Sequence, residues 1–170
     1  KTLDITELQR LVGKLPEVSA AGSILKKADV ISVKGLHGSS RALFSSALFN
    51  KNSGVYLYIL NDAESAGYFY HDLTQIVGSK DVLFFPSAYK RAAKFGQLDA
   101  ANEILRTETL SRLQEENNSL IIVSYPDALA EKTVSGEHLR EQTLTVSVGE
   151  KVDSSFISEV LHDYASEYVD

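Results

Sequence analysis

The chain has 170 residues, no cysteine and a formal net charge of -6 at pH 7. This length allows one main hydrophobic core, with room for part of a second domain. The lack of cysteine excludes disulfides, thiolate metal ligands and cysteine nucleophiles, and the acidic charge disfavours broad electrostatic attraction to nucleic acid. No apolar run approaches the roughly 20 residues needed to cross a bilayer. Because no secretory signal is evident either, we expect a cytoplasmic protein.

The first segment of the chain has the pattern of a helical preface. Apolar residues between Leu3 and Val12 recur at rough helical spacing, and Pro16 is expected to close this helix. A second short helix is expected from Ser19 to Lys27. Neither segment carries residues in a pattern typical of chemistry, so we expect both to be structural.

Four short apolar runs predict β-strands. They are Val30 to Val33, Val55 to Leu60, Val82 to Phe85 and Ser119 to Ser124. The run from Val55 to Leu60 is nearly all apolar, as expected for a strand covered on both faces, and we predict that it is a central strand. Helical patterns separate the runs. This alternation predicts an α/β fold, a parallel sheet flanked by helices and joined by right-handed crossovers.

The helical patterns between the strands have recognisable ends. One helix is predicted from Ser39 to about Asn50, and a second from Asp62 to Val77, with Asp62 as its N-cap and Gly78 at its C-terminal end. A third, longer helix is marked by the apolar residues Leu98, Ile104, Leu105, Leu110 and Leu113.

The tail of the chain has a different pattern. Thr143 to Val148 alternates apolar and polar residues, which predicts a half-exposed strand, and Ser154 to Tyr164 predicts an amphipathic helix. We therefore place a domain boundary near Glu141, so that residues 1–140 form one domain and residues 141–170 begin a second, small α+β domain. Because the chain does not begin with methionine, we expect a fragment of a longer protein.

The strongest local signal for chemistry is the segment from Val33 to Ala42, which joins a predicted strand to a predicted helix through glycines. Phosphate loops occupy this setting, and their G-x-x-x-x-G-K-[ST] pattern supplies backbone N–H groups, a lysine and a Mg²⁺-binding hydroxyl. Aligned from Gly35, the chain departs from the pattern at three positions: Ser40, Arg41 and Ala42 replace the glycine, the lysine and the hydroxyl residue. We predict a vestigial phosphate loop rather than a mere tight turn. Its residues are Gly35, Gly38, Ser39, Ser40 and Arg41.

A working nucleotidase also needs a carboxylate near a strand end to hold metal or orient water. Asp62 and Asp127 lie just after predicted strands, but both stand where helices begin, and we favour helix capping for each. We therefore predict no catalytic residue. An active nucleotide-dependent enzyme of the phosphate-loop type is the alternative.

Other candidate groups give weaker signals. The histidines are His37, His71, His138 and His162. Their spacing does not suit shared metal ligation, so we predict no metal site. His37 lies in the glycine loop, but the G-x-S-x-G elbow of hydrolases is absent and a loop hydrogen bond is the expected role. A basic cluster with interleaved aromatics comprises Lys90, Arg91, Lys94, Tyr89 and Phe95. We favour a solvated helical or loop face for it, and a local nucleic-acid contact is the alternative.

The order of these motifs resembles a known family. Three motifs follow one another along the chain: the glycine loop, the strand from Val55 to Leu60 and the segment from Arg106 to Leu113. Their order is similar to that in the N-terminal UvrB-homology region of the transcription-repair coupling factors, the Mfd family. Three further stretches are similar to elements of that region: Asp81 to Pro86, Leu120 to Leu129 and Leu144 to Val152. The resemblance covers about residues 30 to 170.

The resemblance implies that residues 1–140 form a degenerate helicase-like domain, which corresponds to UvrB-like domain 1A with its helical preface. It implies that residues 141–170 begin the UvrA-binding domain. It implies no cofactor for this fragment, since ATP and Mg²⁺ belong to a motor elsewhere in the parent protein. UvrA is the implied partner, through the domain that begins near residue 141 and continues beyond residue 170, so its contact residues lie beyond Asp170.

The resemblance also implies a role for the parent protein. Other parts of the parent contact RNA polymerase and DNA, and the N-terminal region contacts the motor domains and masks the UvrA surface until activation. We therefore expect a non-catalytic module that helps recruit nucleotide excision repair to stalled RNA polymerase and contributes to autoinhibition.

Overall fold

A computed structural model divides the chain into two compact units, Lys1–Thr133 and Val134–Asp170. The structure describes residues 4–27, 30–89, 98–116, 118–133, 135–136, 148–149, 151, 153, 155–158 and 162. The predicted boundary at Glu141 and the basic cluster from Lys90 to Lys94 lie outside these residues. The predicted strand from Thr143 to Val148 also lies outside them, apart from its last residue, which is in a turn.

The first unit begins with two helices that pack on a third. These are α1 (Ile5–Gly13), α2 (Pro16–Leu25) and α3 (Ser40–Lys51). Pro16 was predicted to close the first helix, but it is the first residue of α2. Its missing N–H has no cost there, because N–H groups in the first turn of a helix have no intrahelical acceptor. The three helices share a small core. Its buried members are Val18, Ala21, Ala47 and Leu48.

The rest of the first unit is built on a three-stranded parallel sheet. Its strands are β1 (Val55–Ile59), β2 (Val82–Phe84) and β3 (Leu120–Ser124), in the order β1-β3-β2. The connecting helices are α4 (Ala63–Val77), α5 (Ala100–Leu113) and α6 (Pro126–Ala130). The prediction of an α/β fold with a parallel sheet is confirmed.

The position of β1 differs from the prediction. β3 is the central strand and is buried along its whole length, whereas β1 lies at an edge of the sheet and pairs with β3 alone among the described residues. Its residues alternate between half-buried and exposed. An apolar run therefore does not by itself identify a strand covered on both faces, and the prediction that β1 is central is wrong.

The two faces of β1 have different surroundings. Tyr56 and Tyr58 face the helices, since the ring of Tyr56 lies 5.8 Å from Phe49 of α3 and that of Tyr58 lies 5.2 Å from Phe69 of α4. On the opposite face α5 lies against β2, and the residues of β1 there are about half exposed. The exposed residues are Val55, Leu57 and Ile59.

The predicted strand from Val30 to Val33 is not a strand. Val30 is fully exposed and Val33 is 46% exposed. β-branched residues favour an extended backbone, but a strand also needs a hydrogen-bonded neighbour. Among the described residues no strand pairs with this segment, because β1 joins only β3.

The helices of the sheet region confirm three predictions. Asp62 caps α4 by accepting a hydrogen bond from the Ser65 N–H at 2.7 Å, and Gly78 follows the helix at φ 101°. The predicted long helix is α5, whose buried residues are Arg106 and Thr109; Ile104 is 67% exposed, and Leu110 is partly buried against the main core.

In the second unit residues 155–158 are helical, which agrees with the described part of the predicted tail helix. Asp153 precedes them and accepts a hydrogen bond from the Ser155 N–H at 3.0 Å, an N-cap contact that lowers the pKa of the Asp153 carboxyl. Among the described helices of the whole chain, none has the length and apolar character required to cross a membrane.

Candidate functional site

The glycine loop lies on the surface immediately before α3. Gly35 and Gly38 have φ of 85° and 53°, in the left-handed region that other residues rarely adopt. A Cβ on either glycine would meet no neighbour within 4 Å, so conformation and not crowding requires glycine here. Ser39 is the residue before the helix and makes no side-chain capping bond. Gly38 and Ser39 form the turn that leads into Ser40 and Arg41 of α3, and Gly35 lies three residues earlier at a separate bend.

The loop is closed by hydrogen bonds to its own atoms. The Ser40 hydroxyl accepts from the His37 N–H and donates to the His37 carbonyl, both at 2.7 Å. The N–H of Ser40 donates to the same carbonyl at 3.1 Å, and the N–H of Arg41 donates to the Gly38 carbonyl at 3.3 Å. Three N–H groups that could face an anion thus already have acceptors within the turn.

The last two positions of the motif have different environments. Arg41 is exposed, whereas Ala42 has no exposed surface and belongs to the main hydrophobic core. A hydroxyl at position 42 would therefore enter the core rather than a metal site. Since the predicted strand before the loop is absent, no strand of the described sheet leads directly into the loop.

The two strand-end acids have separate roles. Asp62 follows β1, and its carboxylate caps α4 through Ser65. Asp127 follows β3 and is exposed in the first turn of α6, but the residue at the N-cap of that helix is Tyr125, so the predicted capping role of Asp127 is wrong. Pro126 occupies the first helical position, and its fixed φ suits the start of a helix without a polar cap.

A buried ionic cluster at the carboxyl ends of β2 and β3 is absent from the sequence-based predictions. Arg106 of α5 is 6% exposed and donates through Nη1 to the carbonyls of Pro86, at 2.7 Å, and Ala128, at 3.0 Å. The same nitrogen lies 3.3 Å from Oε2 of Glu131. The guanidinium also stacks over the ring of Phe85, 4.2 Å from its centroid. One arginine thus joins the segment after β2 to the end of α6.

Glu131 completes this cluster from the other side. Its Oε1 accepts from the Ser87 hydroxyl, and its Oε2 accepts from the Ala88 N–H at 2.8 Å. The Tyr125 hydroxyl accepts from the Ser87 N–H at 2.8 Å, and the Asn102 amide donates to the Ser87 carbonyl at 2.9 Å. All these contacts are internal, so the cluster fixes the backbone after β2. The sequence of α5 alone does not identify Arg106 as buried, because the carbonyls that bind it belong to Pro86 and Ala128, on other segments.

Tyr58 is a half-buried titratable residue of β1, and its ring faces α4. Burial raises the pKa of Tyr58 above its ordinary value of 10.0, a hydrogen bond with the Ser45 hydroxyl opposes the shift, and the neighbouring Tyr56 adds to it. The phenol is therefore neutral at physiological pH, and its role is packing rather than proton transfer.

The described residues contain no group of three or more His, Cys, Asp or Glu side chains arranged to hold a metal ion. Comparison with protein-family models and with curated proteins finds no match for this sequence.

Proposed function

We propose that the chain is a non-catalytic module of a transcription-repair coupling factor, in which a degenerate phosphate-loop domain has lost its nucleotide chemistry. The observation that carries the proposal is the closed glycine loop. The N–H groups of His37, Ser40 and Arg41 all donate to acceptors within the loop, so a nucleotide phosphate would have to compete for them.

Two neighbouring features support the same conclusion. Ala42 is fully buried in the core and has no oxygen for Mg²⁺, and the carboxylate of Asp62 is bonded to the Ser65 N–H at the start of α4. A hydrolysing site needs metal ligands and a group that positions water. The surroundings of the loop favour scaffolding over hydrolysis.

Within this proposal UvrA binds through the domain that begins near residue 141 and continues beyond residue 170. The motor that uses ATP and Mg²⁺, and the surfaces that contact RNA polymerase and DNA, belong to other parts of the parent protein, and a cytoplasmic location follows from that role. Residues 1–140 contribute to autoinhibition by contacting the motor. The buried cluster around Arg106 supports a rigid scaffold role, because its polar groups are engaged in holding the backbone rather than exposed for chemistry.

Nucleotide chemistry is tested on the purified chain by calorimetry with ATP and Mg²⁺ and by phosphate release. We expect no release above the buffer rate and no saturable heat. The control is Gly38→Val, which strains the left-handed turn. Multiple turnovers that this substitution abolishes would establish the alternative, a phosphate-loop nucleotidase.

Partner binding is tested by pull-down of UvrA with the parent protein and, in parallel, with residues 1–170. We expect retention by the parent and negligible retention by the shorter chain, since the contact residues are proposed to lie beyond Asp170. Comparable affinities would contradict this part of the proposal and place the contact within the residues studied.

A further inference from the structure

An open apolar groove of about 360 Å³ runs along the outer edge of β1. Five consecutive residues, Tyr56 to Leu60, line it, which places the groove beside the edge of the strand rather than over one face. Ile31 and Val33 line it as well. Because these two residues belong to a segment that does not pair with β1, the groove separates two stretches of backbone.

The backbone of β1 directs toward this groove N–H and C=O groups that pair with no described strand. The Leu60 N–H donates to the Ser124 carbonyl and the Gly54 carbonyl accepts from the Leu120 N–H, so the even-numbered residues point their backbone groups at β3. In a parallel ladder alternate residues point the opposite way. The N–H and C=O groups of Val55, Leu57 and Ile59 are therefore directed outward, where no described strand meets them.

The side chains at this edge lack the usual protection against pairing. Edge strands in native proteins commonly carry lysine, proline or inward charges, but β1 reads Val-Tyr-Leu-Tyr-Ile, and Val55, Leu57 and Ile59 are 49%, 50% and 57% exposed. Among the described residues that line the groove, Arg41 is the one with a charged side chain. The groove thus combines a hydrogen-bonding edge, an apolar lining and one cation.

We propose that this groove, the β1 groove, is the docking site for one extended strand of polypeptide from outside these 170 residues. The strand adds to the sheet beside β1, apolar side chains fill the lining, and a carboxylate of the strand pairs with Arg41. A second folded copy fits less well, since its own segment equivalent to residues 31–36 flanks its β1 and would meet the same segment here.

The test uses a fluorescein-labelled peptide of alternating valine and threonine with a glutamate at one end, titrated into the 170-residue chain and followed by fluorescence anisotropy. The informative pair is Leu57→Ala and Leu57→Pro. Both remove the apolar side chain, but only proline removes the outward N–H, and proline is tolerated on an edge strand where that N–H meets solvent. Ile104→Lys, on the exposed side of α5, is the control.

We expect saturable binding to the unmodified chain, weaker binding to Leu57→Ala, and a further loss of about tenfold for Leu57→Pro, the effect of one or two backbone hydrogen bonds. Arg41→Gln should weaken the peptide that carries glutamate and leave a glutamine version unchanged, and Ile104→Lys should bind normally. Equal affinities for Leu57→Ala and Leu57→Pro, with both folded, would overturn the proposal.

A second measurement does not depend on any variant folding. A peptide in which every amide is N-methylated has no N–H to donate to the edge of β1, and it should fail to bind the unmodified chain. Amide hydrogen exchange at Leu57 and Ile59 should slow when the unmethylated peptide is present. Undiminished binding of the methylated peptide, or no protection at these two amides, would refute strand addition.

Discussion

Removal of the buried guanidinium of Arg106 should destabilise the first unit more than any surface substitution on the same helix. Arg106→Met removes two hydrogen bonds to backbone carbonyls and leaves Glu131, whose side chain is 17% exposed, without its cation. Breaking a buried pair from one side costs about 3–5 kcal/mol. A domain of this size has about 5–15 kcal/mol of stability in total, so the variant should lose a large fraction of it.

The assay is urea denaturation followed by far-ultraviolet circular dichroism, because the chain has no tryptophan. Arg112→Met is the matched control on α5: Arg112 is 24% exposed, its partner Glu115 is 57% exposed, and such surface pairs contribute about 0–1 kcal/mol. Glu131→Gln should also destabilise, and the double variant with Arg106→Met should lose less than the sum of the two single losses.

Two results would refute this reasoning. If Arg106→Met cost no more than Arg112→Met, the buried contacts would not stabilise the fold. If the single losses were strictly additive, the two charges would not be coupled across their 3.3 Å separation. Among the described residues Nη2 of Arg106 has no hydrogen-bond partner, so the hydrogen bonds of the guanidinium are incompletely satisfied. We therefore expect a coupling energy between Arg106 and Glu131 that is above zero but smaller than the loss from either single substitution.

Three further outcomes are expected. Ala42→Thr, which restores the motif hydroxyl, should lower the free energy of unfolding by about 1–3 kcal/mol through overpacking and yield no phosphate release; turnover would show a hydroxyl reaching a metal. Asp62→Ala should cost about 1 kcal/mol in thermal unfolding through the lost cap, and Asp127→Ala under about 0.5; equal losses would contradict the capping assignment. Burial raises the pKa of Tyr58 above the unfolded value of 10.0, so the neutral phenol contributes its full stability below pH 10.0. This contribution is lost as the pH rises through the higher pKa of the folded state. Tyr58→Phe should reduce the alkaline loss of stability, measured as urea midpoints between about pH 9 and 11.

Elements defined by local chemistry could be predicted from the sequence. α4 has a capping aspartate, a regular apolar spacing and a terminal glycine, and each of these acts within a few residues of the backbone that it controls. β3 is apolar from Leu120 to Val123 and is buried along its whole length, including Ser124. The fold class followed, because the alternation of such elements restricts the possible architectures.

Properties that depend on distant partners could not be predicted in the same way. The runs of β1 and β3 are equally apolar, and only the pairing order makes one an edge and the other central. Val30 to Val33 has strand composition without a neighbouring strand. The burial of Arg106 depends on Pro86 and Ala128, 20 and 22 residues away, so propensity on its own helix carries no trace of it.

The central strand of the sheet is also the last of the three along the chain, and this order has a consequence for synthesis on the ribosome. The hydrogen bond between Gly54 and Ser119 spans 65 residues, so β1 has no pairing partner until that stretch has emerged. At about 5–20 residues per second this interval is roughly 3–13 s. β2 must wait for the same strand. The nascent chain therefore exposes two unpaired apolar strands for several seconds. During this interval chaperones can bind these strands, and nascent chains on neighbouring ribosomes can aggregate through them.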